Sequence, residues 1–95
     1  QYIFNNMIKL GDKITLEGFE NLEPGNITIL KKMIGNFVRK ISEERNFSNF
    51  TLKLSNKYDV HSELHINSKK LENKASNPNL FFCLTDIFKE IESQL

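Results

Sequence analysis

From Phe50 to Ala75 the chain switches between apolar and polar residues in three runs separated by short polar turns. A two-residue period belongs to a strand with one face buried, because successive side chains leave a pleated strand on opposite sides. In "NFTLKLS", Phe50, Leu52 and Leu54 fall on one side and Thr51, Lys53 and Ser55 on the other. In "YDVHSELHI", Val60, Leu64 and Ile66 share a face with Tyr58 and Ser62, while His61, Glu63 and His65 share the opposite one. In "KLENKAS", Leu71 and Ala75 point inward and Lys70, Glu72 and Lys74 outward. The joining stretches "SNKYD" and "NSKK" carry the Asn and Ser residues that favour turns. Three such strands in succession form an antiparallel meander with one face in water and one that needs a cover.

The cover lies on either side in sequence. "ITILKKMIGNFVRKISEER" places Ile27, Leu30, Ile34, Phe37 and Ile41 on one helical stripe, flanked by Met33 and Val38. "ENLEPGN" before it is a loop, with Pro24-Gly25 as a turn and Asn26 as the helix N-cap. Gly35 costs this helix about 1 kcal/mol relative to Ala, which close packing or a partner's access to the backbone would justify. After the meander, Pro78 takes the first helical position behind an Asn cap. "NLFFCLTDIFKEIESQL" then buries Leu80, Leu84, Ile87, Ile91 and Leu95, widened by Phe81 and Phe88. Ahead of the first helix, "KITLEGF" alternates Ile14 and Leu16 against Lys13, Thr15 and Glu17, a strand ending at Gly18. The order is β-α-β-β-β-α, an α+β two-layer sandwich of four strands with both helices on one face. Residues 1–12 are an N-terminal extension of this single domain, 1–95.

Composition narrows the function classes. With 95 residues and eight Phe, the chain fills one core without staples. Cys83, the one cysteine, excludes an internal disulfide framework and sits among apolar neighbours as a small buried hydrophobe. No apolar run approaches a membrane span and "QYIFNN" lacks a signal layout, so the expected address is the cytoplasm, with no membrane partner. There is no nucleophile elbow, glycine-rich phosphate loop or paired cysteine, and hence no expected enzyme, cofactor or small-molecule substrate. His61, Glu63 and His65 could approach a metal ion from one strand face, but a straight strand brings a third ligand in poorly. Their reading is a solvated sheet face, with no metal expected.

The net charge of +1 is unevenly spread. Residues 1–30 hold two Lys against four acids, whereas residues 31–45 hold Lys31, Lys32, Arg39, Lys40 and Arg45 against Glu43 and Glu44. Lys32, Asn36, Arg39 and Lys40 run along the polar side of the first helix, with Lys31 at its margin. Such a row either grips phosphates or is an ordinary solvated face.

The strand and helix order, with the strings "KITLEGF", "LKKMIGNFVRKISEE", "ELHINSKKLENKAS" and "NPNLFFCLTDIFKEIESQL", resembles the hibernation-promoting factor (ribosome-associated inhibitor, protein Y) family, in its short form. The likeness runs from about Lys13 to Leu95. It implies a fold related in layout to double-stranded RNA-binding domains. It also implies a non-catalytic factor that occupies the mRNA and tRNA channel of the small ribosomal subunit and silences idle ribosomes. Lys31, Lys32, Arg39 and Lys40 stand where the family has basic residues on its first helix, and Lys89 is the basic candidate on the last. Asn36, Lys53, Lys70 and Lys74 complete the expected rRNA-binding set. Two departures accompany the resemblance. Glu90, Glu92 and Ser93 replace the family's basic helix end, and the sequence ends after that helix, so no C-terminal dimerisation domain is expected. The acidic last helix supports a second expectation: a protein-interaction module of the same fold that does not bind the ribosome.

Overall fold

The computed structural model describes residues 7–43 and 45–95; the opening "QYIFNN" and Glu44 lie outside them. Its elements are β1 (Met7–Leu10), β2 (Ile14–Glu17), α1 (Pro24–Ser42), β3 (Phe47–Ser55), β4 (Asp59–Ile66), β5 (Lys69–Ser76) and α2 (Leu80–Gln94). The α+β class and the three-strand meander are as expected, but the mixed sheet has five strands, in the order β1-β2-β3-β4-β5. The additional strand comes from within residues 1–12. Met7–Leu10 pairs antiparallel with β2 around a loop in which Gly11 takes φ +75°. Four residues are too few to show a period, and only Ile8 and Leu10 pack on the core.

β2 and β3 are parallel because α1 carries the chain from the end of one back to the start of the other. The remaining neighbours are antiparallel. Asn67 and Ser68 turn β4 into β5 with φ of 52° and 63°, the left-handed pair that a two-residue hairpin requires.

One sheet face supplies Ile14, Leu16, Phe50, Leu52, Val60, Leu64 and Ile66 to the core. α1 supplies Leu30, Ile34, Phe37, Val38 and Ile41, and α2 supplies Cys83, Leu84, Ile87 and Ile91. Ser62 is the buried polar residue on that face, and its hydroxyl donates to the Asn73 carbonyl at 3.5 Å. Phe37 stacks on Phe88 (centroids 4.2 Å, planes 7° apart) and Lys40 meets Glu92 at 2.7 Å. Successive turns thus pair in step, and α1 and α2 run side by side in the same direction.

The two prolines exchange their expected roles. α1 begins at Pro24, whose fixed φ suits a first helical turn, and Glu23 at the cap makes no side-chain bond. Asn26 is therefore inside the helix rather than its cap. Pro78 precedes the cap of α2 instead of opening the helix: Asn79 is the cap, accepting from the amides of Phe81 (2.9 Å) and Phe82 (3.3 Å). Asn77 in turn accepts from the Asn79 amide at 2.8 Å, which fixes the approach. Gly35 meets nothing within 4 Å where a Cβ would stand, so close packing does not explain it. Gly18 is different: at φ +84° an added Cβ would lie 2.3 Å from the Leu54 carbonyl oxygen. No helix among the described residues is long and apolar enough to cross a membrane.

Candidate nucleic-acid interface

The nine residues expected to bind RNA divide between two sides of the sandwich. Lys31, Lys32, Asn36, Arg39 and Lys40 are exposed on α1, and Lys89 is exposed on α2. Lys53, Lys70 and Lys74 are exposed on the sheet face that turns away from both helices. A single flat ligand cannot touch both groups, because the sheet and the core lie between them.

On α1 the stripe facing the core forces the intervening residues outward, and these carry the charge. Arg39 donates from Nη2 to Asn36 Oδ1 at 3.2 Å, a contact one turn apart that steadies the guanidinium while leaving its other donors free. Lys31 and Lys32 have no ion pair among the described residues. Lys40 does: its ammonium bonds Glu92 on α2, and that hydrogen bond, with the carboxylate's charge, raises its pKa. Lys40 is therefore less available to a phosphate than its neighbours. Lys89 shares the exposed side of α2 with Asp86 and Glu90.

On the open sheet face the lysines alternate with acids and imidazoles. Lys53 stands between Glu17 and His61, and His61 between Lys53 and Lys74. Lys70 lies 3.6 Å from Glu72. Glu63 bonds His65 Nε2 at 2.9 Å, and its pKa is lowered chiefly by that bond. At the sheet's end, Asp59 accepts from the Ser76 hydroxyl and from Asn56 (3.3 Å), which lowers its pKa. His61, Glu63 and His65 do share one face, as their spacing requires. No group of three His, Cys, Asp or Glu side chains placed to hold a metal ion occurs among the described residues.

Cys83 is buried, its thiol 3.3 Å from the Ala75 carbonyl, and burial raises its pKa, away from nucleophilic chemistry. At the end of the sandwich where both helices start, a cleft of about 920 Å³ is lined by Leu22, Leu30, Leu54, Tyr58, Leu80 and Phe81. None of the nine basic or amide residues above reaches it. No sequence pattern signals this cleft, since its walls come from separate loops and from the starts of both helices. Nor does one signal that Phe82, in an apolar run, is 62% exposed.

No protein-family model, no curated protein and no solved structure matches this chain.

Proposed function

We propose that this protein is a non-catalytic, cytoplasmic RNA-binding factor that associates with the small ribosomal subunit, grips rRNA phosphates with the outer face of α1, and silences idle ribosomes. The observation that carries the reading is the contrast in charge compensation. Among the described residues Lys31, Lys32 and Arg39 stand exposed without a carboxylate partner on one helix, whereas on the sheet Lys70 is paired with Glu72 and Lys53 lies beside Glu17. Uncompensated cations displace counterions from a polyanion, and compensated ones contribute little. The β-α-β-β-β-α order from β2 to α2, which the resemblance implies, supports the same reading. Lys53, Lys70 and Lys74 fall outside this interface, and Lys40 and Lys89 contribute less than their charge suggests.

The test is cosedimentation with small subunits over a salt series. The affinity is expected to fall steeply with salt, with each phosphate contact adding about −0.7 to −0.9 to the log–log slope. Absence of cosedimentation even at low salt would remove the proposal. The second reading, a protein-interaction module, is favoured by Phe82, which stands exposed on α2 close to Asp86. A pulldown that returns one protein partner and survives nuclease treatment would select it.

A further inference from the structure

Among the described residues the sheet has two edges with no neighbouring strand, and they differ. β1 offers four residues, while β5 offers eight, Lys69–Ser76, paired to β4 on one side without a break in register. The Asn77 amide donates to the Tyr58 carbonyl at 3.1 Å, and these two residues continue the Asp59↔Ser76 pairing. In an antiparallel ladder hydrogen-bonded pairs alternate with non-bonded ones, so the odd-numbered residues of β5 exchange bonds with β4. The backbone N–H and C=O of Lys70, Glu72, Lys74 and Ser76 therefore point out of the sheet. All four residues are exposed, and none of these backbone groups has a hydrogen bond among the described residues.

We propose that β5 is a self-association edge: a second copy of this chain lays its own β5 antiparallel along it, about a two-fold axis at Asn73, to form one continuous sheet. Only an axis passing through a residue sets outward backbone groups opposite outward groups. An axis at Glu72 would place Glu72 on its own copy and Lys70 on Lys74. One at Lys74 would place that lysine on itself. Shifting to Leu71 or Ala75 avoids like charges but shortens the overlap. The axis at Asn73 places Glu72 on the partner's Lys74 and Lys70 on the partner's Ser76, facing one way, and Leu71 on the partner's Ala75, facing the other.

Opposite charges directly across a strand pair stabilise it and like charges oppose it, so the sequence of β5 is complementary to itself in this register. Lysines on an edge repel foreign strands. Here Glu72 offsets Lys74 when the incoming strand is a second β5. The contact is isologous, as a two-fold interface requires, with roughly eight backbone hydrogen bonds. An interface of one strand pair is small, so the dimer is weak and depends on concentration.

Sedimentation equilibrium of the full chain from about 10 μM to 1 mM tests this, with a mass expected to rise from 11.1 kDa toward twice that value. Glu72→Lys and Lys74→Glu, each alone, should raise the dimer dissociation constant at least about tenfold, and the two together should restore it. In the unaltered chain, the amides of Lys70, Glu72, Lys74 and Ser76 should gain protection from hydrogen exchange as concentration rises. That second readout needs no variant to fold. A mass fixed at 11.1 kDa throughout, a dimer that leaves those four amides unprotected, or single reversals without effect would each overturn the proposal.

Discussion

Helices α1 and α2 bury stripes of similar width in one core, run in the same direction and touch through Phe37 and Phe88, yet their outer faces carry opposite charge. α1 shows Lys31, Lys32, Arg39 and Lys40, whereas α2 shows Asp86, Glu90 and Glu92 around Lys89. Their ends differ as well: α2 is capped by Asn79, and α1 starts from Pro24 with no side-chain cap. Two elements with the same packing duty thus differ wherever packing does not reach. The basic row of α1 lies outside the core, which neutral residues at Lys31, Lys32 and Arg39 would serve equally well.

The largest effect is expected from removing what the helices share. Phe37→Ala takes away a ring that contacts both Phe88 and Phe50, and should cost about 3–5 kcal/mol in urea unfolding. Loss of under 1 kcal/mol would mean that the helices do not depend on each other.

Replacing Lys31, Lys32 and Arg39 together by Ala acts on the difference instead. Stability should change little, while the salt slope of small-subunit binding should flatten by about 2–3 units. The matched change on α2, Lys89→Ala, should leave that slope nearly unmoved. An equal effect from both would place the contact outside α1.

The caps give a smaller contrast. Asn79→Ala should destabilise by about 1 kcal/mol and Glu23→Ala by less than half as much, because only Asn79 holds helix amides. Gly35→Ala should add up to about 1 kcal/mol of stability, since nothing occupies the space of the new Cβ. If that variant is more stable yet binds RNA worse, the glycine serves backbone access rather than the fold.

The smallest expected effect concerns the charged bond between Lys40 and Glu92, which joins the helices. The pKa of Lys40 is raised in the folded state, so its pairing with Glu92 stabilises fully below the unfolded value of about 10.4. That contribution is lost as pH rises through the higher folded value. A small stability difference between the protein and its Lys40→Met variant should therefore be present at pH 7 and absent in strong alkali. Both side chains are well exposed, so the difference is small throughout.

Legibility in the sequence followed the range of the interaction. The inward faces of β3, β4 and β5 and the stripes of both helices were readable, because a period of two or 3.6 residues states directly which side chains are buried together. The start of α1 is ambiguous in sequence because Pro-Gly is a turn signal and a helix opening alike, and the body of the helix behind it decides for Pro24. The basic row on α1 could be listed from sequence. That Lys40 is held by a carboxylate more than fifty residues away could not.

The class of each long element and the side it turns to the core thus follow from the sequence, since these are local consequences of side-chain spacing. Only the folded arrangement adds the fifth strand, the parallel course of α1 and α2, and the bond from Lys40 to Glu92. It also decided which backbone groups of β5 remain open. Each of these depends on which distant segment lies alongside, and periodicity carries no information about the neighbour, only about the face.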